Sequence, residues 1–269
     1  EEKFHRLNGL FWLNYISDVF GFEYLKQVTE TKMSGIFDYT LNRPSYFNRY
    51  GIILDLPAAL IEVIFNIDDI KTVYYLKHFL GFSLFLISSF FFYKILEKRY
   101  NNFLLSVIGL ILYLTTPRIF GDSFLYKDVL YLSFFTISLY FFFQSIDQLN
   151  YKNLLFLGLF SSLSVNLRIF SLLIPIIFIF IIFIKNFYKK NLVEDAKKVF
   201  FYLTFFFIFL YLFWPYLWSD PLKNFLDLFR YLTRDLIDVK IFYGGDYISN
   251  RIIPDIYILN WIFISSPLV

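Results

Sequence analysis

Seven uncharged, strongly apolar stretches recur along the chain, at residues 78–93, 100–117, 129–146, 153–167, 169–184, 199–219 and 256–269. Most run to 15–21 residues, near the ~20 that an α-helix needs to cross ~30 Å of hydrocarbon. The pattern predicts an all-α, polytopic membrane helix bundle. The run 153–184 carries a single charge, Arg168, and reads either as one long span or as two short spans turning near Asn166-Leu167-Arg168. The apolar segment 51–66 holds Asp55, Pro57 and Glu62, and is expected to be a further membrane element partly shielded by protein.

Two segments show helical periodicity instead of uniform apolarity. In 4–20, Phe4, Leu7, Phe11, Tyr15 and Val19 form a stripe widened by Trp12, Ile16 and Phe20, with Arg6, Ser17 and Asp18 facing away. In 222–237, Leu222, Phe225, Phe229, Leu232 and Leu236 recur at helical spacing, with Lys223, Asp227, Arg230 and Arg234 elsewhere. Such helices lie in the membrane plane or cap the spans.

Composition agrees with the pattern. Hydrophobic residues are 58% of the 269 and charged residues 17%, with a mean hydropathy of +0.58. A soluble globule of this size lacks the interior to hide so much apolar surface, and disorder is excluded by the same figures. With no cysteine, disulfides, thiolate zinc sites and iron–sulfur clusters are ruled out. The net charge of +3 is too small to imply nucleic acid. The chain opens on Glu1-Glu2 and stops inside an apolar run at Ser265-Ser266-Pro267-Leu268-Val269, so both ends read as cut.

The distribution of charge sets an orientation. Segments 94–102, 146–152 and 185–198 hold nine basic and four acidic residues, while the rest of the chain holds 16 basic and 18 acidic. Cytoplasmic loops collect Lys and Arg, so these three segments are expected inside. The segments 146–152 and 185–198 share a side only if the chain between them crosses twice, which favours two short spans with Arg168 at the outer turn. Residues 1–77, 117–128 and 219–255 then lie outside, 78–218 contain the spans, and 256–269 begin another, all within one transmembrane domain. Function is expected in the outer loops.

Candidate chemistry concentrates there. In 116–128, Pro117 stops a helix, and Arg118, Asp122, Lys127 and Asp128 follow within eleven residues. Asp128 sits at the mouth of an uncharged span, where a carboxylate is partly desolvated. It reads as a base beside an anion grip made by Arg118 or Lys127, or as an ordinary Lys–Asp interfacial cap. Arg168 should face a cavity or a partner and suits bidentate phosphate binding; snorkelling to headgroups is the alternative. Glu1 and Glu2 with His5 and Arg6 make a third cluster, catalytic or merely solvated. Trp214 and Trp218, with Tyr216, Pro215 and Pro221, form either an aromatic belt with a helix stop or a stacking surface for a sugar or isoprenoid. With only His5 and His78 present, no zinc spacing exists. Gly244-Gly245 is a turn signal and not a phosphate loop.

Taken in order, these motifs resemble the GT-C superfamily of membrane glycosyltransferases, and within it the bacterial group similar to dolichyl-phosphate-mannose protein mannosyltransferases and aminoarabinose transferases. The resemblance runs through the Glu-Glu-x-Phe-His-Arg start, Tyr50-Gly51 with Leu56-Pro57-Ala58-Ala59, Lys77-His78, Pro117-Arg118-Ile119-Phe120-Gly121-Asp122-Ser123-Phe124 with Lys127-Asp128, Asn166-Leu167-Arg168, Trp214-Pro215-Tyr216-Leu217-Trp218, Tyr243-Gly244-Gly245 and Ser266-Pro267-Leu268. It implies an enzyme of the bacterial inner membrane whose active site faces the periplasm. Sugar would pass from a polyprenyl-phosphate donor to an acceptor protein, lipid or glycan. Asp128 matches the family's second acid, and Glu1 and Glu2 stand near its first acidic pair, whose Asp is expected upstream. Arg168, less directly Arg118 and Lys127, would hold the donor phosphate. His5, Asp122, Trp214 and Trp218 would contact substrate. A divalent metal assists some members, but no ligand set for one is evident. The rival reading is a transporter or flippase for a lipid-linked anion, which would be expected to show internal repeats; none is found. A structural membrane subunit is the third reading.

Overall fold

A computed structural model of the chain describes residues 2–34, 51–189, 192–234 and 240–265. These residues divide into two compact units, Glu1–Pro221 and Leu222–Val269. The all-α expectation holds for the first. It opens with α1 (Glu2–Phe20) and α2 (Glu23–Ser34). Gly21 joins them at φ +72°; the amide of Phe22 bonds the carbonyl of Ser17 and that of Gly21 bonds Asp18, a Schellman closure that needs the left-handed residue. Next come α3 (Asp55–Ile64) and α4 (Ile70–Tyr100). At 31 residues, α4 is about 46 Å long at the usual rise per residue. It begins eight residues before the uncharged run at 78, because Asp69 caps it by accepting from the amides of Lys71 and Thr72.

Asn101 ends α4 in the left-handed conformation, and Asn102 caps α5 (Phe103–Thr115) through the amide of Leu105. The expected span at 100–117 is thereby corrected. With Pro117 stopping it, α5 has 13 residues, about 20 Å and short of a full crossing. Pro117 also starts α6 (Pro117–Asp122) as its first residue, where the missing amide hydrogen costs nothing. Then follow α7 (Tyr126–Asp147), α8 (Tyr151–Leu167), α9 (Leu173–Lys189) and α10 (Leu192–Leu212). The break between α8 and α9 falls on Arg168, in extended backbone before a 3-10 turn at Ile169–Leu172, so the run 153–184 is two helices.

In this unit α8 packs on α7 and α10, α4 on α7 and α5, and α1 on α2 and α3. Close contact is made by small residues: a Cβ on Gly158 would lie 3.2 Å from the amide nitrogen of Phe206, and one on Gly9 would lie 2.2 Å from the carbonyl oxygen of Asp55. Serines point inward and return their hydroxyls to carbonyls of the preceding turn, as Ser88 does to Phe85, Ser133 to Val129 and Ser161 to Leu157. Large apolar side chains such as Phe79, Leu86, Phe90, Leu112, Phe180 and Phe207 are exposed. Among the described residues two helices, α4 and α7, are long and apolar enough to cross a membrane.

The three basic segments meet at one end of this unit: Lys98 pairs with Asp147 at 2.5 Å, and Lys185 donates to the carbonyl of Ile146. Residues from the expected outer side meet elsewhere: Arg168 on Asp128, and Glu2 on His78, where the run 78–93 begins.

The second unit, taken by itself, holds α11 (Pro221–Arg234), a hairpin of β1 (Lys240–Tyr243) with β2 (Asp246–Ser249), and α12 (Tyr257–Ser265). Residues Leu222, Leu226 and Phe229 of the amphipathic α11 are exposed. This short two-stranded hairpin leaves the described residues mostly helical, in keeping with the all-α expectation. Gly244 and Gly245 turn it at φ +64° and +98°, a two-residue loop that demands positive φ at both positions. Tyr243 accepts from Asn260 of α12 at 2.5 Å.

Candidate functional site

The sequence places Arg6 and Ser17 on the polar face of α1, away from its aromatic stripe. Part of that face turns into the protein: Arg6, Asn8 and Ser17 are buried, as are Leu7 and Trp12 of the stripe, while Asp18 is exposed together with Phe4, Phe11, Tyr15 and Val19. The inward part finds partners on α3. Arg6 donates to both carboxylate oxygens of Glu62 at 2.7–3.2 Å, and Lys32 of α2 approaches the same carboxylate at 3.9 Å while pairing with Asp68 at 2.9 Å. This network fastens α1 and α2 to α3.

Two turns earlier on α3, Asp55 at its start is the centre of a second buried cluster. Its Oδ2 accepts from His5 Nδ1 at 3.1 Å and from Asn8 Nδ2 at 3.0 Å. Its Oδ1 lies 3.5 Å from Lys77 Nζ, and that ammonium sits 4.4 Å from the ring centroid of Tyr126. Burial by itself pushes the pKa of Asp55 up. The hydrogen bond from His5, the charge of Lys77 and the bond from Asn8 outweigh it and hold the carboxyl below its usual value. His5, Asp55, Tyr126, Lys127, Asn166 and Leu167 line a small pocket here, together with residues of the segment that enters α3.

On the other side of the first turn of α7 lies a wider cleft of about 590 Å³, lined by Arg118, Asp122, Asp128, Tyr131, Arg168 and Phe170 among others. Arg168 and Asp128, separated by 40 positions, form an ion pair, each about half exposed. The guanidinium also sits 5.7 Å from the ring centroid of Tyr131. Arg118 pairs with Asp122 at 3.6 Å across one turn of α6. The cleft therefore carries two cations and two anions, each cation beside a carboxylate.

Of the residues singled out from sequence, Asp128, Arg168, Arg118 and Asp122 come together. Lys127 does not join them: one position earlier on α7, it faces the Asp55 pocket. Glu2 pairs with His78 at 2.9 Å and lines neither cavity. Glu1 lies outside the described residues. His5 belongs to the Asp55 cluster. Trp214 is buried, which corrects the expectation of an open stacking face there. Trp218 donates its indole N–H to the carbonyl of Tyr211 at 2.7 Å and packs its ring 6.3 Å from that of Trp12, so its partners are protein groups. Among the described residues no three histidine or carboxylate side chains converge as metal ligands.

Asp55, Asn8, Lys77, Tyr126 and Asn166 carried no functional reading in the sequence. Asp55 had a signal: an acid inside an apolar segment needs a partner. The others are a neighbour of a noted residue or a neutral polar side chain, and only the packing of α1 and α3 against α4, α7 and α8 selects them. The chain matches no family model, no curated protein and no solved structure.

Proposed function

We propose that the chain is a multi-pass membrane glycosyltransferase that moves a sugar from a polyprenyl-phosphate donor to an acceptor hydroxyl. On this reading it sits in a bacterial inner membrane, with the basic segments in the cytoplasm and the Arg168 cleft facing the periplasm. The observation that carries the reading is the meeting of Asp128, Arg168, Arg118 and Asp122 in one open cleft beside long apolar helices. Exposed Phe, Leu and Ile on those helices, with serines turned inward, support the membrane setting.

In the transfer, the acceptor oxygen attacks the anomeric carbon while Asp128 takes the hydroxyl proton. The bond from that carbon to the phosphate oxygen breaks, the electron pair leaves with the polyprenyl phosphate, and the configuration inverts. Arg168, with Arg118, stabilises the charge that builds on the phosphate. No step is assigned to a metal. The test is donor binding and turnover by the full chain in membranes, supplied with a polyprenyl-phosphate sugar. Arg168→Lys keeps the charge but loses the planar fork, so donor affinity should fall, and fall further in Arg168→Ala. Unchanged donor affinity in Arg168→Ala would leave the guanidinium a headgroup anchor and sink the reading.

A further inference from the structure

Arg168 leaves the chain at a joint between two helices. Its backbone is extended, at φ −144° and ψ 116°, between the end of α8 and the 3-10 turn at Ile169–Leu172. A side chain on such a joint is only as well placed as the bonds that close it. Two of these are made by the backbone: the amide of Arg168 donates to the carbonyl of Ser164, and that of Ser171 to the carbonyl of Arg168, both at 3.0 Å.

A third closure comes from side chains. The last turns of α8 bury Ser161, Ser162 and Ser164. Ser161 and Ser162 return their hydroxyls to carbonyls of the preceding turn, at Leu157 and Leu159, the ordinary use of serine inside a helix. Ser164 instead reaches over the joint to the hydroxyl of Ser171, seven positions on, at 2.7 Å. The two serines are 0% and 1% exposed, so water does not compete for the bond. Neither lines the charged cleft or the pocket at Asp55, whereas Arg168 and Phe170 between them line the cleft.

The base of the same loop is held as well. Asn166 Nδ2 donates to the carbonyl of Ser162 at 3.0 Å, and the carbonyl of Asn166 accepts from the amide of Gly51 at 3.3 Å. A Cβ on Gly51 would lie 2.8 Å from that of Asn166, so the two strands of backbone are in close contact. The loop is closed on its buried side, and its single charged side chain turns out to Asp128 and the ring of Tyr131. A flexible loop would have to fix its backbone each time the guanidinium met a phosphate. A closed one holds the planar fork in place beforehand.

We propose that Ser164 and Ser171 are positioning residues for Arg168: their buried hydroxyl pair staples the joint and holds the guanidinium in the cleft against Asp128. That the staple serves donor binding rests on the transferase reading; the positioning itself does not.

The test uses the full chain in lipid nanodiscs. Ser164→Ala/Ser171→Ala removes both partners, so no buried hydroxyl is left unpaired and the fold should be kept, as melting temperature checks. The rate at which phenylglyoxal modifies Arg168, read by mass spectrometry of its peptide, reports how firmly Asp128 holds the guanidinium. It should rise about two- to fivefold, the scale of a half-exposed ion pair, towards the rate set by Asp128→Asn. Affinity for a polyprenyl phosphate should fall about three- to tenfold, the usual worth of one hydrogen bond. It should fall no further in the Arg168→Ala background, a dependence that general loosening of the fold would not produce. A folded double variant with the wild-type rate at Arg168, or the same loss of affinity on top of Arg168→Ala, would overturn the proposal. The wild-type chain supplies a check that needs no variant. Amide exchange at Arg168 and Ser171 should be as slow as in the interior of α8, and exchange as fast as in an exposed loop would equally overturn it. Faster modification of Arg168 in the double variant, with no polyprenyl phosphate bound by the wild type, upholds the staple and removes the transferase reading.

Discussion

A phosphate entering the cleft must take the Arg168 guanidinium from Asp128, because the two side chains already hold each other. On the transferase reading, Asp128→Asn removes both the proton acceptor and the competitor. Turnover should drop by about 10²–10⁴, the usual worth of a positioned acid–base group, while donor affinity rises about two- to fivefold, the scale of a half-exposed ion pair. Asp122→Asn, beside Arg118, should give a milder loss; near-normal turnover in Asp128→Asn with none in Asp122→Asn would transfer the role to Asp122. Asp55 makes a separate prediction in pH. Its carboxyl is held below the usual value in the folded chain, so it adds stability that is complete above the unfolded value of about 3.9 and is lost as pH falls through the folded value. The melting temperature of the wild-type chain should be flat with respect to this group near neutrality and fall below about pH 4. Asp55→Asn should be less stable at neutral pH and should lack that part of the acid slope; an identical slope in both would remove Asp55 as its source.

The elements of the first unit are held by a few positions that tolerate little change. A Cβ on Gly9 would lie 2.2 Å from the Asp55 carbonyl oxygen and 3.1 Å from the Cβ of Ala59, both fixed in α3. Gly9→Ala must therefore push α1 off α3, with a cost of about 1–3 kcal/mol, as for other overpacked contacts, and with loss of the His5 and Asn8 bonds to Asp55. The same crossing is locked by Arg6 and Glu62, both buried. Arg6→Ala leaves a buried carboxylate facing only Lys32 at 3.9 Å and should cost about 3–5 kcal/mol. Denaturant titration of the two variants in one detergent checks both figures, and a loss under 1 kcal/mol for Arg6→Ala would mean that Lys32 takes over the pair. Helix boundaries at this scale were partly legible. Pro117 and Gly244-Gly245 act where their φ preferences demand, whereas the Asn101-Asn102 break inside the run 100–117 was not read. The start of α4 was not read, since Asp69 caps it ahead of the apolar run.

For the molecule as a whole, the membrane reading and its orientation are open to direct test because the chain has no cysteine of its own. A single cysteine at Lys189 should react only with a reagent that enters the cytoplasm, and one at Asp122 with an impermeant reagent from outside; outside labelling at Lys189 would overturn the orientation. The sequence by itself determined the apolar helices, the break at Arg168 and the pairing of basic segments on one end, because each follows from local periodicity, a lone charge or a count of loop charges. It also marked Asp128 and Arg168 separately, as charges that membrane depth makes expensive. Their contact across 40 positions, and the assignment of Lys127 to the neighbouring pocket, were decided by tertiary structure alone, since adjacent residues on a helix point about 100° apart and only the packed neighbours say which cavity each direction meets. The burial of Arg6 and Asn8 on α1 was decided the same way. Periodicity separates the two faces of a helix, but which one turns to protein depends on whether the polar side finds partners, and here Glu62 and Asp55 supply them.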